Sequence, residues 1–100
     1  MPRRIRLSDA AIDDLIAIRS WQFQPGSSGV AKRRVRSILN TIGQLRSHPC
    51  LFARGDQSGT REVSSEGHRI VYVVDPDTGR NADAGDVTVL RVFGPGQMRR

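Results

Sequence analysis

The residues best suited to chemistry in this chain are arginines. Arg61, Arg69 and Arg91 fall in three separate stretches of strand character, and Arg54 precedes them in a glycine-containing loop. A guanidinium binds phosphate or carboxylate through two parallel hydrogen bonds, and side chains on adjacent strands meet when they share a face. The three strand arginines are therefore candidate catalytic groups. With Arg54 they form a candidate anion-binding or target-binding set on the face that the helices leave open. Because arginine stays protonated, such a set can clamp a pentavalent phosphate but cannot accept a proton. Spacing does not decide whether the three share a face, since a one-residue slip moves every side chain across the sheet. The competing reading has them line a solvated sheet face, paired with Glu62 or Glu66. A second cationic group, Lys32-Arg33-Arg34-Val35-Arg36, suits either phosphate contact or a solvated helix face.

Groups that exchange protons near neutral pH are scarce. His48 and His68 have no nucleophile or carboxylate beside them in sequence, which suits a helix end and a strand start better than a general base. Cys50 reads as a small core residue, Tyr72 as packing inside an apolar strand, and Trp21 and Phe23 as packing at a helix end. Two histidines and one cysteine are too few and too scattered for a metal site, and no cofactor is expected. The segment from Asp75 to Asp86 has oxygen ligands spaced somewhat as in a calcium loop. Its glycine is displaced by one position and strands flank it, so it reads as a plain connection.

Positioning the arginines requires a scaffold, and the periodicities supply one. Arg4 to Leu7 alternates like a short strand, and Ser8 can cap a helix with Asp9 in its first turn. Ile12, Leu15, Ile16 and Phe23 then fall at helical spacing. Gln24-Pro25-Gly26-Ser27 breaks that pattern, and Ser27 or Ser28 can cap a second helix. In this second helix Ala31, Val35, Ile38, Leu39, Ile42 and Leu45 form one apolar stripe, ended by Pro49. Two such helices joined by a short turn make an antiparallel hairpin. Thr60–Ser65, His68–Val74 and Asp86–Phe93 read as strands, with a turn at Glu66-Gly67. The predicted fold is α+β: an N-terminal strand and a two-helix hairpin packed on an antiparallel sheet of three or four strands.

Length and charge bound the rest. One hundred residues make one domain, 1–100, with 94–100 expected as a frayed tail. The longest uncharged apolar run, Ile70–Val74, is far too short to span a bilayer, so no membrane segment is expected. A single cysteine suits a reducing compartment, and a cytoplasmic protein is expected. The formal charge is +6, and fifteen of the sixteen basic residues are arginine, which suits an anionic partner.

Five segments, in order, resemble the RelE/ParE superfamily of toxins. Leu7-Ser8-Asp9-Ala10-Ala11-Ile12-Asp13-Asp14-Leu15 is similar to the family's opening, and Ile38 to Pro49 to its second helix and exit. Arg54-Gly55 with Gly59-Thr60-Arg61-Glu62-Val63 is similar to the elements that follow. Gly67-His68-Arg69-Ile70-Val71-Tyr72 resembles its most recognisable strand, and Val89-Leu90-Arg91-Val92 its last. The resemblance implies a toxin of a type II toxin–antitoxin system, a growth inhibitor neutralised by a cognate antitoxin in a toxin–antitoxin hetero-oligomer. It offers two targets. RelE-like members cut messenger RNA on the ribosome with basic sheet residues and a tyrosine near the C-terminus, whereas ParE-like members poison DNA gyrase. Here no tyrosine follows Tyr72 and the predicted sheet holds no lysine, so the ParE-like reading is favoured. A basic nucleic-acid-binding module without toxicity is the third reading. For the antitoxin, an acidic and partly disordered segment folding onto the hairpin is expected to meet Ile12, Leu15, Ile16, Trp21, Val35 and Ile38.

Overall fold

The computed structural model describes residues 3–21 and 28–94. Its elements run β1 (Ile5–Leu7), α1 (Asp9–Trp21), α2 (Ser28–Gln44), β2 (Arg61–Ser65), β3 (His68–Asp75) and β4 (Asp86–Phe93). The predicted order is present in full. The turn between the helices, Phe23 with it, and residues 95–100 of the expected tail lie outside the described residues.

Ser8 caps α1 as its position predicts. Its hydroxyl accepts from Ala11 N at 3.0 Å and also donates to Leu90 O at 2.7 Å, tying the helix start to the sheet. The β2–β3 turn places Glu66 at φ 51° and Gly67 at φ 78°. Two successive left-handed residues twist a two-residue hairpin the way its strands twist, and glycine takes that conformation without steric cost.

The sheet order is β1-β4-β3-β2. Strands β2, β3 and β4 form the predicted antiparallel meander. The first strand departs from the wholly antiparallel expectation: β1 pairs parallel to β4, with Ile5 opposite Val87 and Leu7 opposite Val89. Alternating side chains look the same whichever way a strand runs, so direction is invisible in the pattern. The path of the hairpin decides it, with α1 lying over β4 and α2 reaching β2.

A register shift between β3 and β4 controls which side chains face which way. Tyr72 pairs with Val89 but Val71 pairs with Arg91, leaving Leu90 as an extra residue. In a regular strand Arg91 would share a face with Val89; after the bulge it lies on the opposite one. The core sits between hairpin and sheet: Ile70, Tyr72 and Val74 of β3, Val87, Val89 and Val92 of β4, Ile38, Ile42 and Leu45, and Ala11.

Helix α1 is rotated from the predicted stripe. Ala11 is buried while Leu15 and Ile18 pack against the core, whereas Ile12 and Ile16 are 40% and 56% exposed. The reason is Asp14, which turns inward. Among the described residues no strand covers the edge of β4 beyond Leu7, and Asp14 Oδ2 accepts Val92 N–H there at 2.8 Å. A carboxylate thus takes the place of a strand carbonyl.

Candidate functional site

The bulge and the register separate the strand arginines. Arg61 pairs directly with Tyr72, so it lies on the helix-covered face and not on the open one as the sequence suggested. Only 8% of its side chain is exposed. Its Nε donates to Asp77 Oδ2 at 2.8 Å, its Nη2 to Asp77 Oδ1 at 3.0 Å and its Nη1 to Phe52 O at 2.7 Å. That bidentate pair holds the Asp77 carboxyl down at about 2, with help from Gly79 N–H. Arg61 is therefore a structural bolt joining β2, the 50–54 loop and the loop after β3.

Arg69 and Arg91 do share the open face, as diagonal neighbours across β3 and β4. Arg69 Nη1 lies 3.4 Å from Glu62 Oε1, a pairing anticipated from the sequence. Arg91 reaches round the bare edge of β4 to Asp14, with Nε–Oδ2 2.8 Å and Nη2–Oδ1 3.0 Å, and its Cζ lies 4.6 Å from the Phe93 ring centroid. Arg54 forms an isolated bridge with Arg61 and is exposed, its Nη1 3.9 Å from Asp77. Among the four candidates, two share the open face, one is buried behind it and one sits at the β2 edge.

A depression of about 270 Å³ lies on the open face, floored by Val71, Leu90 and Phe93 and rimmed by Asp56, Glu62 and Arg91. Its lining can grip a polar group with carboxylates and a guanidinium. None of these described groups is an imidazole, thiol or phenol that would exchange a proton near neutral pH.

The groups that might do so do not line this depression: His48 is exposed just after α2, Cys50 is half-buried, and Tyr72 and His68 are buried. Tyr72 is fully buried and donates its phenol proton to Pro49 O at 2.9 Å; burial pushes its pKa up to about 12. Cys50 donates to Asp77 Oδ1 at 3.6 Å, and burial raises its pKa too. His68 is 3% exposed at the start of β3 and Nδ1 lies 3.2 Å from Glu66 O; burial lowers its pKa. Burial leaves the charged imidazolium poorly solvated, so the folded state takes up this proton less readily than the unfolded chain does. The contribution of His68 to stability is therefore present above the unfolded value near 6.5 and drains away as the pH falls below it. We expect the melting temperature to drop between about pH 7.5 and about pH 5, and His68→Gln to flatten that drop. Identical pH dependence in the variant would refute the assignment.

Three of the four carboxylates of the calcium-like segment are engaged within the protein. Asp77 holds Arg61, Asp83 accepts from Thr78 and pairs with Arg80, and Asp86 accepts Arg4 N–H. No three candidate metal ligands converge among the described residues.

The outer surface of the hairpin offers a second candidate site. Leu39, predicted to face inward, is 50% exposed and stands with Ile12 and Ile16 among the exposed apolar side chains. A groove of about 480 Å³ is lined by Val35 and Leu39 and bordered by Arg19, Lys32 and Arg36. Ile38 corrects the sequence reading: it is 0% exposed and faces the sheet, so it belongs to the core and not to a contact surface. Leu15 is half-buried on the core-facing side of α1, and the Trp21 side chain lies outside the described residues. Sequence reasoning missed Asp14 and Asp77, the carboxylates that fix two of the arginines. One of two adjacent acids on a helix, and one in a loop 16 positions from its partner, carry no local sign of such roles.

Comparison with known proteins places this geometry. The chromosomal ParDE toxin–antitoxin system from P. aeruginosa superposes with a TM-score of 0.71 at 16% identity, covering 93% of this chain and 96% of that one. The RelBE2 toxin–antitoxin complex from Mycobacterium tuberculosis superposes with a TM-score of 0.63 at 19% identity, covering 97% and 95%. These likenesses establish the fold. No curated protein sequence matches the chain. A family model described as the ParE toxin of the type II toxin–antitoxin system, parDE, matches residues 5–97, and the chain belongs to that toxin family.

Proposed function

We propose that this toxin acts in the cytoplasm by poisoning DNA gyrase and does not cut RNA. The observation that carries the reading is the state of the groups a nuclease would need. Arg61 is buried against Asp77, Arg91 is held by Asp14, and the Tyr72 phenol is sealed beneath the hairpin. A ribosome-dependent nuclease must present a proton acceptor and a free phosphate clamp together. The described open face carries the carboxylates Asp56 and Glu62 but no imidazole, thiol or phenol, and its guanidiniums Arg69 and Arg91 are engaged by Glu62 and Asp14. Arg54, Arg69 and Arg91 then serve as contacts to the target and Arg61 serves the fold. Membership of the ParE family favours gyrase over the ribosome and messenger RNA.

The antitoxin, on this reading, lays an acidic, partly disordered segment over Ile12, Ile16, Val35 and Leu39. The cations Arg19, Lys32 and Arg36 border that groove, so an amphipathic acidic helix matches it in both hydrophobicity and charge. The product is a toxin–antitoxin hetero-oligomer. No described helix is long and apolar enough to cross a membrane.

Inducing the chain alone in a bacterium separates the two targets. An SOS response with cleaved chromosome, relieved by co-expressing the neighbouring antitoxin gene, is expected. Codon-phased cuts in messenger RNA, mapped by primer extension, would overturn the gyrase reading in favour of the nuclease. Unimpaired growth with soluble, folded protein would remove the toxin reading altogether.

A further inference from the structure

The charges of this protein are segregated along the chain. All ten acidic residues lie at or before Asp14 or at or after Asp56. Residues 15–55 between them hold seven cations, Arg19, Lys32, Arg33, Arg34, Arg36, Arg46 and Arg54, and not one carboxylate. This acid-free stretch builds most of α1 and all of α2.

The structure sharpens the asymmetry. Arg61, Arg69, Arg80 and Arg91, all in the second half of the chain, have carboxylate partners within 4 Å. Lys32, Arg33 and Arg36 are exposed on α2 and form no ion pair among the described residues. Lys32 and Arg36 are four residues apart and Arg33 and Arg36 three, spacings at which like charges repel on one helix face. Cations kept there at a cost to the helix await an anionic partner.

The shape of the stripe says which kind. Arg33, Arg36, Asn40 and Gln44 follow at i, i+3, i+7 and i+11, all exposed, so one ridge of α2 carries guanidinium and amide groups along its length. It spans about 16 Å, the axial length of roughly five phosphates on one strand of a duplex. The ridge itself carries no large apolar side chain; its Arg36 and Asn40, with Lys32, also line the neighbouring groove proposed for the antitoxin, so the ridge is open to a second anionic partner in the free toxin. It has no aromatic residue either, which leaves unstacked single-strand bases without a platform. We propose that the outward ridge of α2, with Lys32, Arg33 and Arg36 as its charged contacts, binds the phosphate backbone of duplex DNA without reading its sequence.

The test needs neither gyrase nor antitoxin, so its result is independent of the proposed target. A labelled duplex of about 20 base pairs and arbitrary sequence is titrated with the purified full chain at salt concentrations from roughly 50 to 200 mM. The triple variant Lys32→Gln/Arg33→Gln/Arg36→Gln is compared with a control of equal net charge, Arg4→Gln/Arg6→Gln/Arg80→Gln. Three phosphate contacts contribute about −2.7 to the slope of log affinity against log salt, a roughly 40-fold change over that range. The ridge variant is expected to lose that slope, while the control keeps it within about threefold in affinity. A thermal melt of each variant, no lower than that of the unmodified chain, verifies the fold. Equal losses in both variants would reduce the effect to net charge and overturn the proposal. Tighter binding of a single strand, or displacement of the duplex by polyglutamate at equal charge, would overturn it as well.

Discussion

Replacing Asp77 by alanine is expected to destabilise this toxin by about 3–5 kcal/mol, the usual cost of leaving one member of a buried ion pair unmatched. Arg61 would keep its charge with 8% of its side chain exposed and would lose two of its hydrogen bonds. The same substitution takes away the acceptor for Gly79 N–H and Cys50 Sγ–H, so three segments lose their shared anchor. A domain of this size should melt lower by more than roughly 10 °C, readable by circular dichroism. The double variant Arg61→Met/Asp77→Leu is expected to recover much of the loss, since removing both charges also removes the cost of desolvating them. If the single variant melts with the unmodified protein, Arg61 is not the bolt described here. The pH dependence follows from the same pair. Because the folded carboxyl is depressed, its contribution is fully present above about 3.8 and is lost as the pH falls toward about 2.

The second large effect concerns neutralisation. Ile16→Glu is expected to leave the fold intact, because Ile16 is 56% exposed on the outer side of α1. It should nevertheless weaken the complex with the antitoxin by roughly 30-fold to 1,000-fold, the range for losing an apolar anchor worth about 2–4 kcal/mol. The introduced carboxylate also repels an acidic partner, so Ile16→Ala should weaken binding less than Ile16→Glu. Titration calorimetry with the purified antitoxin checks the affinity, and failure of the antitoxin to rescue growth checks it in cells. Unchanged affinity in both variants would move the antitoxin off this face of the hairpin.

Much of the scaffold was legible in the residues. The capping serine, the Glu66-Gly67 turn and the three C-terminal strands each depend on neighbours a few positions apart and formed where expected, and of the α2 stripe Ile38, Ile42 and Leu45 face the core while Leu39 does not. The face of α1 was misread because this helix carries apolar residues on two sides. Ile12 and Ile16 match the hydrophobic period as well as Ala11, Leu15 and Ile18 do. What selects the inward side is Asp14, and its partners Arg91 and Val92 lie more than seventy residues away.

The candidate site was legible as a list of groups and not as an arrangement. Arginine identity and strand membership follow from local composition, but sharing a face depends on register. A single bulged residue at Leu90 carries Arg91 to the open face, while the pairing of Arg61 with Tyr72 carries Arg61 to the covered one. The broken alternation Val87, Val89, Val92 was the one local trace of that bulge.

Helices, strands, turns and charge are specified by interactions between residues close in sequence, so periodicity and composition reveal them directly. Strand direction, register and the choice of ion-pair partner are settled by contacts between segments brought together late, where several near-equal local solutions compete and the packed core selects one. That selection made a structural bolt of Arg61 and an edge clamp of Arg91.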